Sequence, residues 1–390
     1  MHGPQPLAHS AENHLVLLHC GREYFPALVA AFDAAELEIH LEAYIFATDD
    51  VGVCVRDALR RASARGVHVN LIVDWLGTGP ERCASLLECF RDTKVDVRIF
   101  NPWFTGGPAR SHRKLCVVDR RIAFVGGLNI SDDLRDDHDG DITLQAPRWD
   151  FAVRIVGPLV AQIHVEMAAQ WRRTGRLELR LRWALFRQLR KMSTRFSGEA
   201  ALATLVVRDN LRNRRTIERA YLRALRRAKT SALLATPYFA PGRTMRDALK
   251  AAAERGVGVT LLLGVGQYPL QDAVSNAYYP SLLAAGVKIV EYRKAQLHAK
   301  VAVIDDHWAT VGSSNFDGFS LFLNQEANVV VDDRGFTATL RSKIEDAVAD
   351  GVVVDLQDVR RAPWYARATY ACALFLYRGM IQLVTWGRYS

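Results

Sequence analysis

The pattern His-x-Lys-x4-Asp occurs twice in this chain, as His112, Lys114 and Asp119 and again as His298, Lys300 and Asp305. Each copy is followed at the same distance by a small-residue turn ending in asparagine: Gly126-Gly127-Leu128-Asn129 and Gly312-Ser313-Ser314-Asn315. The offset is 298 − 112 = 186 for the histidines and 315 − 129 = 186 for the asparagines. A duplication kept in register through such reactive residues restricts the fold more than composition can. It predicts two halves built alike, each giving a histidine and a lysine to one shared site.

The repeat runs beyond the motifs. The stretch from Arg56-Asp57-Ala58-Leu59 to Arg65-Gly66-Val67 parallels that from Arg246-Asp247-Ala248-Leu249 to Arg255-Gly256-Val257, at an offset of 256 − 66 = 190. Each stretch reads as a helix, a glycine C-cap and a buried strand. Upstream, residues 37–46 and 232–239 read as strands ending in aromatics. Strand, helix, strand, repeated, predicts an α/β layered fold. Alternation along a strand puts His112 and Lys114 on one face and Arg113 and Leu115 on the other. Asp119-Arg120-Arg121 and Asp305-Asp306-His307 read as hairpin turns, and the glycines of the later turns as places where backbone can approach a phosphate oxygen.

A chain of 390 residues has room for roughly two domains. We divide it into a first half at 1–165, a basic amphipathic linker helix at 166–200, a second half at 201–355 and an apolar tail at 356–390. Within 171–195 nine Arg or Lys stand against one acid, Glu178, with leucines on the opposite helical face and Trp183 among the cations. The tail, mostly apolar from Trp364 to Trp386, is interrupted by Arg378, so a helix lying in a membrane interface fits it better than one crossing the bilayer. The excess of 51 basic over 42 acidic residues favours an anionic partner, lipid surface or nucleic acid. Six cysteines without Cys-x-x-Cys spacing read as buried free thiols in a reducing compartment, and the N-terminus shows neither a secretory signal nor a membrane hairpin. The acidic run from Asp132 to Asp141 lacks the ligand register of a calcium loop and reads as a solvated insertion.

Two histidine–lysine pairs facing one pocket suit attack on a phosphodiester. A neutral imidazole attacks phosphorus, and the second, protonated, delivers a proton to the leaving alkoxide. The lysines, with Asn129 and Asn315, would neutralise the non-bridging oxygens, so the chemistry calls for no metal and no cofactor. Each histidine needs an acid to fix its tautomer. Glu326, eleven residues past Asn315, is placed for one such role, and Asp150 is the counterpart in the first half.

These residues resemble the duplicated signature of the phospholipase D superfamily, over nearly the whole chain. Stretches such as residues 41–46, 153–158, 237–242 and 307–315 resemble bacterial cardiolipin synthases of the B type more narrowly. The resemblance implies two domains about a pseudo-twofold axis, each a mixed sheet flanked by helices. It implies phosphatidyl transfer through a histidine intermediate, with His112 as nucleophile and His298 as general acid and base. It places the motif aspartates, Asp119 and Asp305, nearer to holding a loop than to touching substrate. The implied reaction joins two phosphatidylglycerol molecules into cardiolipin and releases glycerol, at the cytoplasmic face of the inner membrane. Tyr44, Phe46, Trp103, Phe104, Tyr238 and Phe239 are candidates for lining an acyl or glycerol channel. Hydrolysis of phospholipid or nucleic acid is the alternative; the apolar segments favour lipid, and no nucleic-acid partner is expected.

Overall fold

The computed structural model describes residues 10–105, 107–136, 142–174, 201–209 and 213–385. The first half contributes β1 (Ser10–His19), β2 (Glu38–Ala43), β3 (His68–Asp74), β4 (Val95–Phe100), β5 (Leu115–Val118), β6 (Ile122–Gly126) and β7 (Phe151–Val156). The second half contributes β8 (Ala201–Arg208), β9 (Ser231–Thr236), β10 (Phe239–Ala240), β11 (Gly258–Gly264), β12 (Lys288–Tyr292), β13 (Val301–Ile304), β14 (Trp308–Gly312), β15 (Phe316–Asp317), β16 (Glu326–Asp332) and β17 (Val352–Val353).

All but β10 and β15 join one mixed sheet in the order β17-β12-β11-β9-β13-β14-β16-β8-β1-β7-β6-β5-β2-β3-β4. From the β8–β1 junction outward the two directions repeat each other, so the 186-residue offset of the sequence becomes a pseudo-twofold relation. Within each half the outer strands pair in parallel, as β2 with β3 and β9 with β11, through helical crossovers. The motif strands β5–β6 and β13–β14 are antiparallel hairpins inserted beside them. Fully buried runs such as Leu115–Val118 and Val301–Ile304 explain why these short strands sit in the middle of the sheet rather than at an edge.

Helices cover both faces. On one, Leu159, Ile163 and Met167 of helix Leu159–Thr174 and Phe336, Leu340 and Ile344 of helix Arg334–Ala349 pack over residues from both halves, in a single shared core. The other face carries a separate core for each half. Helix Leu159–Thr174 begins ahead of the boundary drawn from sequence at 165/166, and the rest of the expected basic helix, 175–195, lies outside the described residues.

The tail forms helix Trp364–Thr385. Its inner face, Tyr370, Ala373, Leu374 and Tyr377, joins the second-half core, while Trp364, Phe375, Leu376 and Leu383 are each more than 60% exposed. No helix among the described residues is long and apolar enough to cross a membrane. The thiols are free, but Cys54 and Cys372 are exposed, not buried, because they fall on the outer faces of their helices. The acidic insertion is only partly solvated: the Asp133 carboxylate accepts from the Gly21 N–H, and burial pushes it up to about 6. Residues 137–141 of that insertion are outside the described ones.

Candidate active site

His112 and His298 stand just before β5 and β13, and each segment is pinned to the opposite half. The His112 N–H donates to the Gln325 carbonyl at 2.9 Å, and the His298 N–H to the Trp149 carbonyl at 3.0 Å. Bridges Ser111–Gln325 and Trp149–Leu297 repeat this under the twofold relation. Both imidazoles line one cavity of about 200 Å³, with Tyr44, Asn129, Tyr238, Asn315 and Asp317 among the other walls.

The orienting acids are exchanged between halves. His112 Nδ1 lies 3.1 Å from Glu326 Oε2 and 3.0 Å from the Ser313 carbonyl oxygen, whereas His298 Nδ1 lies 2.6 Å from Asp150 Oδ2. Proximity in sequence suggests the reverse pairing. The backbone explains the exchange, since His112 docks on Gln325 and His298 on Trp149, the residues before Glu326 and Asp150, and strand register makes the two acids equivalent. Gly126 pairs with Ala152 and Gly312 with Asn328, so Asp150 and Glu326 each stand two residues before an equivalent position. Counted from the asparagines, 150 − 129 = 21 and 326 − 315 = 11, and the difference is the acidic insertion.

Electrostatics separates the two histidines. A carbonyl oxygen only accepts, so His112 Nδ1 carries a proton and its Nε2 keeps a lone pair. Burial pushes the His112 imidazole below its ordinary value, and the Lys114 ammonium adds to this against the pull of Glu326. His298 instead faces one carboxylate over a short, charge-assisted distance. Burial raises Asp150, and Lys300 is the first influence pulling it back.

The lysines do not line the cavity. Lys114 Nζ donates to the His112 carbonyl at 3.0 Å and Lys300 Nζ to the His298 carbonyl, both buried beneath the imidazoles. Lys114 also sits 5.0 Å from the Tyr44 ring centre, and that ring meets His112 edge-on. On the opposite face, as alternation requires, Arg113 is held by Glu42 at 2.9 Å and Glu166 at 2.8 Å.

Asp119 and Asp305 hold a loop, as the resemblance implies, and two other expectations require correction. Asp119 and Asp305 do not reach the cavity; a four-residue strand carries them about 16 Å from the lysines at the usual rise. There Asp119 accepts from the N–H groups of Glu36, Leu37 and Glu38, and Asp305 from those of Lys229, Thr230 and Ser231. The turn glycines make room for protein, not phosphate. A Cβ on Gly127 would lie 2.4 Å from Asp150 Oδ1, one on Gly126 2.5 Å from the Phe151 carbonyl, and one on Gly312 2.3 Å from Asn328 Oδ1. Ser313 Oγ donates to Glu326 at 2.5 Å and the Ser314 N–H to Asn328, so these serines brace the acid strand. Of the aromatics, Tyr44 and Tyr238 line the cavity, Phe46 and Phe239 are core, and Trp103 and Phe104 are exposed.

Sequence reasoning missed Tyr268, Gln271, Asp317, Phe319, Ser320 and Asn324 in the cavity wall. Asp317 had a signal. It follows Asn315 by two residues and precedes Gly318 as an N-cap, accepting from the Ser320 N–H at 2.8 Å. Burial pushes its carboxyl up to about 6.

With this geometry established, comparison with known proteins is direct. The family model described as cardiolipin synthase, PLD-like domain, matches residues 28–155 and again 221–348, one copy per half. The chain belongs to this phospholipase D-like family. It is 37% identical over 385 residues to cardiolipin synthase B of Salmonella typhimurium, covering 96% of this chain and 90% of the relative. To the minor cardiolipin synthase of Bacillus subtilis it is 27% identical, over 93% of this chain and 90% of that one. The fold is that of phosphatidylserine synthase from Haemophilus influenzae, at a TM-score of 0.70, 13% identity and 97% coverage of both chains.

Proposed function

We propose that the chain is a phosphatidyltransferase that makes cardiolipin from two phosphatidylglycerol molecules, by way of a phosphatidyl group carried on His112. The observation that carries this reading is the pair of imidazoles on one small cavity, each held by a buried carboxylate from the other half. Kinship with cardiolipin synthases over almost the whole chain supports the lipid substrate.

His112 Nε2 attacks phosphorus while the His298 imidazolium gives its proton to the departing glycerol oxygen. His298 then takes the proton of the terminal hydroxyl of a second phosphatidylglycerol. That oxygen attacks the phosphohistidine and frees His112. Asn129 and Asn315 bind the non-bridging oxygens from the cavity wall, and the two lysines stabilise the developing charge from beneath. The cavity is smaller than the roughly 300 Å³ at which drug-sized pockets begin, so it admits the phosphate and glycerol and leaves the acyl chains outside.

Those chains remain in the membrane if the mouth of the cavity lies against it. The C-terminal helix supports that arrangement. Tyr377 accepts from the Gly318 N–H at 2.7 Å and packs edge-on against Phe319, a cavity residue, while Trp364, Phe375, Leu376 and Leu383 point outward from the same helix. Exposed Trp103 and Phe104, packed against Trp75, are further apolar surface in the first half. Free, exposed Cys54 and Cys372 fit a reducing, cytoplasmic face.

Incubating the protein with vesicles of labelled phosphatidylglycerol and separating the products by thin-layer chromatography tests the reading. Cardiolipin and glycerol are expected. Phosphatidic acid as the sole product would replace transfer with hydrolysis, and full activity in His112→Ala would remove the covalent step.

A further inference from the structure

The duplication supplies an internal comparison for every position. The Asp119 N–H donates to the Glu38 carbonyl and the Asp305 N–H to the Ser231 carbonyl, each at 2.9 Å, so Glu38 and Ser231 are equivalent and His40 corresponds to Leu233. Val156 pairs with Ile122 and Asp332 with Trp308, which are themselves equivalent. Helix Leu159–Thr174 buries Leu159, Ile163 and Met167 with the spacing at which helix Arg334–Ala349 buries Phe336, Leu340 and Ile344, so Ile163 corresponds to Leu340 and His164 to Arg341. The second half thus fills this location with Ser231, the buried Leu233 and Arg341, whose guanidinium donates to the Ser231 hydroxyl at 3.0 Å. The first half fills it with a carboxylate and two imidazoles.

These three side chains converge. His164 Nε2 lies 3.0 Å from Glu38 Oε1, His40 Nε2 lies 3.6 Å from Oε2, and the three potential donor atoms are all within 4.8 Å of one another. We propose that Glu38, His40 and His164 form a binding site for a divalent metal of the zinc class, at the end of β2 remote from the catalytic cavity. Around a tetrahedral ion with bonds of about 2.0–2.1 Å, neighbouring ligand atoms stand about 3.4 Å apart, between the two separations observed. Imidazole with carboxylate is a donor set that suits zinc and its late first-row neighbours.

The surroundings fit the role. Asn70 Nδ2 lies 3.4 Å from His40 Nδ1; the amide flipped end for end would accept from Nδ1–H and leave Nε2 for the metal. The imidazoles meet edge-on, with ring centres 5.1 Å apart. Arg120 pairs with Glu38 at 2.6 Å, but its side chain is 65% exposed, and such surface pairs are weak enough for an ion to displace. A bound ion would tie β2 to helix Leu159–Thr174 beside the loop that Asp119 holds. It takes no part in transfer.

The test titrates the chelator-stripped full chain with Zn²⁺ and, separately, with Co²⁺. One tightly bound ion, visible cobalt absorption and a higher melting temperature with zinc are expected. His40→Leu with His164→Arg installs the residues of the second half, so it should fold, as circular dichroism will report, and lose all three signals. His164→Gln, on the helix surface, should weaken binding at least tenfold and stands in if the double variant does not fold. His112→Ala with His298→Ala should keep the ion. No binding by the unaltered chain, binding that persists in the leucine–arginine or glutamine variant, or binding lost with the cavity histidines would overturn the proposal.

Discussion

His112 shows how much one contact can decide. Its Nδ1 faces a carbonyl that can only accept, so the free lone pair is on Nε2 whatever the state of Glu326. Because burial and then Lys114 hold this imidazole below its ordinary value, about 6.5, it stays neutral to lower pH than a free histidine. The acid limb of kcat/KM should therefore lie below about 6.5. Lys114→Met removes a lowering influence and should move the limb of its residual activity upward; an unmoved limb would mean that another group sets it. Glu326→Gln keeps a partner for Ser313 and should cost about 10- to 100-fold in transfer with little change in melting temperature, as for the loss of other orienting partners. The histidines, lysines and asparagines were legible in sequence because their chemistry repeats. The exchange of Asp150 and Glu326 was not, because it is set by backbone contacts across the junction, His112 to Gln325 and His298 to Trp149, which no count along the chain shows.

At the scale of elements, the motif aspartates bind hairpin to crossover. Asp305 accepts from three successive backbone N–H groups and from the Thr230 hydroxyl. Partial burial raises its carboxyl, but these bonds outweigh it and hold the group below the ordinary range. A depressed folded value contributes stability above the unfolded carboxylate value of about 3.9, lost as pH falls through the folded one. Asp305→Ala should thus lower stability by about 1–3 kcal/mol near neutral pH, with the deficit shrinking in acid, while folded enzyme keeps its kcat. Denaturant melts across pH, paired with the transfer assay, check this; a large loss of kcat at unchanged stability would return Asp305 to the reacting groups. The C-terminal helix makes a second prediction. Trp364→Ser with Phe375→Ser and Leu383→Ser alters only its outer face, so the fold should persist while sedimentation with anionic vesicles falls severalfold. Sequence reads this helix as lying in a membrane interface; the structure packs one of its faces on the second-half core and exposes the other, a division that hydropathy along one chain cannot show.

For the whole molecule, the pseudo-twofold relation sets where activity can come from. One sheet runs through the β8–β1 junction, one core spans both halves on one face, and each histidine takes its acid across that junction. Strand, helix, strand was readable from periodicity, but the joining of two sheets into one was not, since β8 and β1 are not neighbours in sequence. The contacts that join the halves at the site, His112 to Gln325 and Glu326 and His298 to Trp149 and Asp150, lie within one chain, so one copy brings both imidazoles to the cavity. Mixing His112→Ala protein with His298→Ala protein should therefore give no more transfer than the two variants measured apart, at any ratio. If the cavity were assembled between copies, with each chain lending one imidazole, a mixture would contain sites with both histidines intact, and activity would return to about a quarter of the unaltered level on random pairing. Recovery of that size would place the two imidazoles on different chains and break the link between the duplication and the site.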